Sequence, residues 1–202
     1  MPLWLADRPL VLASKSAIRL AVLRDAGLTV EVVPADIDER AIEQRLSTQD
    51  PSAIAARLAC EKAQAITTRL PGRLVLGADQ TLALGERRFS KPGDVAAARE
   101  QLRALRGNTH TLHSAIALTR DGSVLFEHCA IARLTMREFS DDFLDAYLAA
   151  AGAAVTGSVG AYQLERLGIQ LFERVEGDHF VVLGLPLLAF LRYLRQAGYM
   201  AA

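Results

Sequence analysis

The chain has 202 residues, 51% of them hydrophobic and 23% charged, a composition typical of a globular protein and too apolar for intrinsic disorder. The 23 basic and 23 acidic residues give a formal net charge of zero, which argues against a nucleic-acid binder, because phosphate contacts dominate the affinity of that class. No apolar run approaches the ~20 residues needed to span a bilayer, and Cys60 and Cys129 lack metal-ligand spacing. We expect a cytoplasmic protein that binds neither nucleic acid nor membrane.

The first half of the chain alternates short apolar runs with helical patterns. An apolar run at 10–13 precedes Ser-Lys-Ser, and helical spacing then extends from Ala17 to Ala26, with Gly27 as the expected stop. Strand, loop and helix in succession indicate an α/β fold built around a sheet. Further elements are predicted as a strand at 30–33, a helix from Pro51 to about Arg69, a strand at 74–77 that 81–84 would extend, and a helix over roughly 95–105.

The second half of the chain predicts an antiparallel ribbon. Apolar and polar residues alternate over 110–118 and 124–136, and Asp121-Gly122 between these runs is a strong hairpin signal. After the ribbon we expect a helix over 140–150 capped by Ser140, a glycine-punctuated segment at 157–168, a strand at 169–175 and a closing helix at 186–196. We expect a single domain over 1–202, with residues 110–150 contributing a second lobe.

The segment from Ser14 to Arg19 is the first candidate site. It lies where a strand ends and a helix begins, so free N–H groups and partial positive charge are expected there. The hydroxyls of Ser14 and Ser16 and the charge of Arg19 would complete an anion or phosphate cradle. An ordinary serine cap followed by a solvated basic turn explains the same residues. The P-loop pattern is absent.

Asp79 is the second candidate, because it follows the apolar strand predicted at 74–77. Ligands of open α/β sheets bind at the carboxyl ends of strands, and a carboxylate there can hold a divalent cation or take a proton from water. A turn residue is the alternative. The acidic run Asp36–Glu39 also follows a predicted strand, and it is either a set of oxygen ligands for Mg²⁺ or Mn²⁺ or a solvated loop. The four histidines show no metal spacing, and no role is assigned to them.

The sequence resembles the Maf family of nucleotide pyrophosphatases over nearly its whole length. The family's opening motif, L-A-S-x-S-P-R-R, corresponds to residues 12–19, with Ala17 in place of the proline. Further family motifs follow in order as Asp38-Glu39, Lys62, Gly77-Ala78-Asp79-Gln80, Lys91-Pro92, Gly107-Asn108-Thr109-His110, Gly160-Ala161-Tyr162, residues 173–177 and Gly184-Leu185-Pro186. Several ordered motifs together are far more specific than any one of them.

The resemblance implies an elongated, mixed, twisted sheet with flanking helices and two lobes around a cleft, and commonly a homodimer. It implies hydrolysis of a modified or non-canonical nucleoside triphosphate to the monophosphate and pyrophosphate, with Mg²⁺ or Mn²⁺. Asp79 would be the general base or a metal ligand that positions water, and Glu39 a metal ligand. The phosphate-binding residues implied are Ser14, Ser16, Arg19, Lys62 and Lys91.

Three positions separate substrate classes in the family, and here they are Ile18, Gln80 and Glu165. Enzymes acting on 7-methyl-GTP have Trp, Gln and Glu there, whereas those acting on dTTP and UTP have Arg, Thr and Gln. Two of three positions therefore match the 7-methyl-GTP type, and Ile18 departs because it cannot stack on a cationic purine. The alternatives are a dTTP/UTP pyrophosphatase and a non-catalytic nucleotide-binding regulator of cell division.

Overall fold

The computed structural model describes residues 3–202, which form two compact units. Of these residues, the first unit holds 3–79, Ser114–Ala130 and His179–Ala202. The second unit holds Gln80–His113 and Ile131–Asp178. Within this part of the chain, no helix is long and apolar enough to cross a membrane.

A mixed sheet confirms the predicted α/β fold class. Its seven strands are β1 Leu10–Leu12, β2 Val30–Val32, β3 Val75–Leu84, β4 Arg87–Phe89, β5 Thr109–Arg120, β6 Ser123–Met136 and β7 Phe172–Glu176. The strand order is β2-β1-β3-β5-β6-β7, and β4 pairs with β3. In the first unit β1 pairs in parallel with β2 and β3, whereas in the second unit β4 on β3 and β7 on β6 are antiparallel.

The helices agree with most of the predicted positions. They are α1 Ala17–Asp25, α2 Glu39–Arg45, α3 Pro51–Thr67, α4 Val95–Leu105, α5 Asp141–Ala151, α6 His179–Val182 and α7 Leu187–Gln196. Short 3₁₀ helices cover Gly152–Thr156, Val159–Ala161 and Leu167–Leu171. The side chains of Ser16, Asp50 and Ser140 accept hydrogen bonds from the first turns of α1, α3 and α5, which explains where these helices begin.

Strand β1 lies at the centre of the core of the first unit, with both of its faces buried. Leu10 and Leu12 pack into one apolar cluster together with Leu23 of α1 and Phe190 of α7. Val11 belongs to a second cluster, whose members include Ala55, Ala59 and Ala63 of α3. The alternation of side chains along a strand therefore places α1 and α7 on one face of the sheet and α3 on the other.

The predicted hairpin at Asp121-Gly122 is confirmed. The two residues have φ angles of 50° and 79°, the left-handed conformations that a two-residue type I′ turn requires at both central positions. They join β5 to β6, which are neighbours in the sheet.

Several predicted boundaries were wrong. The predicted strand at 169–175 begins only at Phe172, because Leu167–Leu171 forms a 3₁₀ turn. Glu39 does not end an acidic loop but begins α2, a helix without buried residues and therefore without a strong apolar pattern to reveal it. Asp79 lies inside the continuous strand β3 rather than after it.

Candidate active site

The first unit brings four of the predicted site segments into contact: the start of α1, the start of α2, the middle of α3 and the middle of β3. The paired part of β1 ends at Leu12, opposite Leu76 of β3, and β3 continues past this point to Asp79. Asp79 therefore lies just beyond the carboxyl end of β1, at the sheet edge where the segment from Ser14 to Arg19 also begins. This is the position at which open α/β sheets bind ligands.

The start of α1 has the predicted serine cap. Ser16 Oγ accepts a hydrogen bond of 3.3 Å from the backbone N–H of Arg19, and Ser14 Oγ accepts one of 3.2 Å from the N–H of Ser16. Each hydroxyl still carries a proton that it can donate to an anion. Lys15, between the two serines, is exposed.

Arg19 is partly buried and bridges two backbone carbonyls, one in β3 and one in the loop between α6 and α7. Its Nε donates to the backbone oxygen of Gly184 at 2.9 Å, and its Nη1 donates to that of Ala78 at 2.8 Å. Burial lowers the pKa of Arg19, and the negative charges of Asp79 and Glu39 oppose that shift. The guanidinium thus fixes the backbone immediately before Asp79, in addition to contributing positive charge to the site.

Gly184 provides the close approach that this bridge needs. Its φ is +88°, and a Cβ there would lie 3.2 Å from Nη2 of Arg19. A side chain at this position would have to adopt a left-handed backbone and would also crowd the guanidinium. Gly184 belongs to the Gly-Leu-Pro motif, whose role was not evident from the sequence.

Lys62 joins the two carboxylates of the site. Its Nζ donates a hydrogen bond of 2.6 Å to Oδ1 of Asp79 and lies 2.8 Å from Oε1 of Glu39. The side chains of Lys62 and Asp79 are only 12% and 10% exposed, whereas that of Glu39 is 50% exposed. Burial raises the pKa of Asp79, and the positive charges of Lys62 and Arg19 oppose the rise. A carboxylate with a raised pKa is suited to accept a proton.

The contact of α3 with β3 sets this geometry. A Cβ on Gly77 would lie 2.0 Å from the backbone oxygen of Ala59, so only glycine allows the helix to approach so closely. Lys62 is three residues along the helix from Ala59, and Asp79 is two residues along the strand from Gly77. The close packing therefore brings the ammonium and the carboxylate together.

The two carboxylates that contact Lys62 fit a divalent cation that is also held by phosphates of the ligand. Mg²⁺ is usually held by one or two carboxylates together with substrate phosphates, and Glu39 and Asp79 meet that requirement. Among residues 3–202 there is no cluster of three or more His, Cys, Asp or Glu side chains that could form a cage made of protein alone. The donor set therefore fits a metal that arrives with a phosphorylated ligand.

The remaining predicted site residues have different surroundings. Ile18 of α1 packs partly buried against the core cluster that contains Leu10 and Leu12. Gln80 and Lys91 belong to the second unit: Gln80 follows Asp79 in β3 and is half-buried, and Lys91 is exposed between β4 and α4. Glu165, also in the second unit, is exposed between buried Leu164 and the 3₁₀ turn at Leu167–Leu171.

The capped start of α1, the buried Asp79 and the nearby cations of Arg19 and Lys62 form the candidate site at this edge of the sheet. The sequence matches the family described as Maf-like protein over residues 9–197, and the chain belongs to that family. It is 55% identical over 201 residues to a protein of Nitrobacter hamburgensis named nucleoside triphosphate pyrophosphatase, with all of both chains covered. It is 50% identical to a Rhizobium etli protein named 7-methyl-GTP pyrophosphatase, over 94% of this chain and 96% of the relative. A HAM1 protein structure from Coxiella burnetii matches 63% of this chain and 72% of its own, at 19% identity and a TM-score of 0.41.

Proposed function

We propose that this protein hydrolyses a nucleoside triphosphate to the monophosphate and pyrophosphate, with 7-methyl-GTP as its preferred substrate. The observation that carries the proposal is the buried Asp79, held by Lys62 beside the capped start of α1. The relative that is 55% identical over the whole chain, and is named for the same reaction, supports it.

The chemistry follows from charge. A triphosphate repels an attacking water until cations neutralise its oxygens, so the site must supply positive charge and hydrogen-bond donors. Lys62, Lys91 and Arg19 supply the charge, and the hydroxyls of Ser14 and Ser16 act as donors. Asp79 takes the proton from water as the water oxygen attacks the α-phosphorus. The bond from that phosphorus to the bridging oxygen then breaks, and pyrophosphate leaves.

Glu39 and Asp79 are the residues that would hold Mg²⁺ or Mn²⁺ with the substrate. Such a cation neutralises phosphate charge and lowers the pKa of water. The carboxylate of Asp79 lies beside that of Glu39 at the same ammonium, so it can serve as a metal ligand or as the proton acceptor.

Glu165 and Gln80 support the choice of nucleotide. A carboxylate can accept hydrogen bonds from N1–H and N2–H₂ of guanine, and its negative charge suits the positive charge of a 7-methylated base. The 50% identical relative is named for 7-methyl-GTP, which agrees with this chemistry. Ile18 offers no aromatic face for stacking, so discrimination would depend on Glu165.

We further propose that the enzyme works as a homodimer in the cytoplasm on free nucleotides. The zero formal charge supports a small-molecule substrate rather than nucleic acid. Both cysteines are unpaired and half-buried, as expected in a reducing compartment.

A pyrophosphate-release assay tests the proposal. The purified full chain is given 7-methyl-GTP, GTP, dTTP, UTP and ATP, each with Mg²⁺, with Mn²⁺ and with a chelator. We expect the highest kcat/KM for 7-methyl-GTP and no release in the chelator. Glu165→Gln should lower that preference, whereas Glu86→Gln, at an exposed turn of the second unit, should preserve it. Binding of nucleotides without release would favour a regulator, and a preference for dTTP or UTP would identify the pyrimidine type.

A further inference from the structure

A buried polar pair in the second unit has no part in the chemistry described above. Nε2 of His110, on β5, forms a hydrogen bond of 2.7 Å with the hydroxyl of Tyr162. The two side chains are almost fully buried, and Phe172 of β7 packs against both rings, with centroids 5.9 Å from His110 and 4.8 Å from Tyr162. The pair is therefore shielded from water and packs against an aromatic ring.

Filling this space with a histidine and a tyrosine lowers the stability of the folded state. Nδ1 of His110 is buried and has no hydrogen-bond partner among residues 3–202. Burial lowers the pKa of His110 to about 4, so the imidazole is neutral at pH 7. Leaving a buried polar atom unpaired destabilises the folded state, and two phenylalanines of similar shape would avoid that penalty. Stability alone does not account for a histidine and a tyrosine here.

Tyr162 belongs to the glycine-punctuated segment 157–168, whose backbone is unusual. Gly160 and Ala161 have left-handed φ angles of 82° and 62° in succession. A Cβ on Gly160 would lie 2.6 Å from both Leu82 and the ring of Tyr162, so the backbone runs directly against these side chains.

This segment is held by hydrogen bonds from side chains rather than by the backbone hydrogen bonds of a strand. The hydroxyl of Tyr147 donates to the backbone oxygen of Ala161 at 3.3 Å, and Ser158 Oγ donates to that of Tyr162. The His110–Tyr162 hydrogen bond joins the segment to β5 of the sheet. Glu165 is exposed and follows this anchor by three residues, so the anchor limits where the backbone of Glu165 can lie.

We propose that His110 and Tyr162 are positioning residues for nucleotide selection, which fix the segment 157–168 and thereby the carboxylate of Glu165. This inference rests on the proposed function, because it assigns to Glu165 the recognition of the base. Neither side chain needs to touch the nucleotide for this role.

The test compares the double variant His110→Phe/Tyr162→Phe with wild type and with Glu165→Gln. We expect the double variant to melt at or above the wild-type temperature, because the unpaired polar atom is removed. Its ratio of kcat/KM for 7-methyl-GTP over GTP should nevertheless fall roughly tenfold or more, since small displacements of a positioning group have effects of that order. Adding Glu165→Gln to the double variant should produce no further fall.

Hydrogen exchange of residues 158–166 gives a readout that does not depend on activity. Exchange should be faster in the double variant than in wild type, and unchanged in the first unit. Unchanged exchange in the segment, an unchanged nucleotide ratio, or an equal loss on every nucleotide together with a lower melting temperature would each overturn the inference.

Failure of the proposed function is distinguishable from failure of this inference. A wild-type protein that releases no pyrophosphate, or whose preference is insensitive to Glu165→Gln, overturns the assignment of Glu165 and the inference with it. If Glu165→Gln lowers the preference and the double variant does not, only the positioning role is overturned.

Discussion

Lys62 donates a hydrogen bond of 2.6 Å to Asp79, and the same ammonium lies 2.8 Å from Glu39. Because Lys62 and Asp79 are mostly buried, solvent and salt screen their interaction less than they would on the surface. The proposed proton acceptor and a proposed phosphate-binding cation are thus directly coupled. A change in either one should alter the titration and the stability of the site.

Replacing Lys62 with Met should raise the pKa of Asp79 further, because Lys62 is the strongest influence that lowers it. The acidic limb of the kcat/KM profile should then move to higher pH, since only the deprotonated carboxylate accepts a proton. Loss of one partner of a buried pair also destabilises the fold by about 3–5 kcal/mol. This destabilisation should be greatest at high pH, where Asp79 is charged, and should shrink as the pH falls through its pKa.

Lys15→Met is the matched control, because Lys15 is exposed on the loop before α1. Its pH–rate profile and its unfolding by denaturant should match wild type. A Lys62→Met protein with an unshifted acidic limb would contradict the coupling.

Replacing Gly77 with Ala should disturb the packing of α3 on β3. The new Cβ would lie 2.0 Å from the backbone oxygen of Ala59, so the helix must move, and Lys62 moves with it. We expect a fall in the free energy of unfolding of at least about 1–3 kcal/mol, together with a lower kcat. Gly93→Ala is the control, because no atom lies within 4 Å of its Cβ position. Equal stabilities of the two variants, measured by urea unfolding, would show that the close approach is not required.

Replacing Gly184 with Ala should lower kcat through Arg19. Both Gly184 and Gly198 have left-handed φ angles, +88° and +74°, so alanine at either position should lose about 1–2 kcal/mol of stability. Only at Gly184 would the added Cβ also meet the guanidinium, at 3.2 Å, and displace the Arg19 bond to Ala78 beside Asp79. Steady-state kinetics of the pair separate the two effects. If Gly184→Ala and Gly198→Ala have the same kcat, Arg19 does not position Asp79.

Replacing Glu39 with Gln should weaken metal binding at the site without removing the proton acceptor. Glutamine keeps the size of the side chain but loses the negative charge that a divalent cation prefers. We expect the Mg²⁺ concentration for half-maximal activity to rise roughly tenfold or more, with a smaller change in kcat at saturating metal. A titration with Mg²⁺ at fixed nucleotide measures this, with Glu86→Gln as the control. An unchanged titration would remove Glu39 from the metal site.

Local sequence signals were sufficient to locate the start of α1. Ser16 caps the helix as expected, and Asp50-Pro51 begins α3 as expected, because caps and first-turn prolines act within a few residues. The family motifs indicated Lys62 and Asp79, and the structure brings these two side chains into contact.

The structure also contains features that no local pattern encodes. The sequence around Asp79 is compatible with a turn, but the residues pair and pack as one strand from Val75 to Leu84, so tertiary contacts override the local preference. Two acceptors of Arg19 are the backbone oxygens of Ala78 and Gly184. Every residue has a backbone oxygen, so the sequence does not reveal which ones Arg19 contacts. Helix α2 buries no residue, so it leaves little apolar periodicity to detect.

The kinetics of Asp79→Asn test the central claim most directly. Asparagine has nearly the same shape but cannot accept a proton, so pyrophosphate release should fall by about 10²–10⁴-fold while the fold is retained, as judged by circular dichroism and cooperative unfolding. The acidic limb in wild type should lie above the usual aspartate range, because burial raises the pKa of Asp79. Asp25→Asn, at the exposed end of α1, should behave as wild type. An Asp79→Asn protein with kcat within about twofold of wild type would contradict the assignment of Asp79 as proton acceptor.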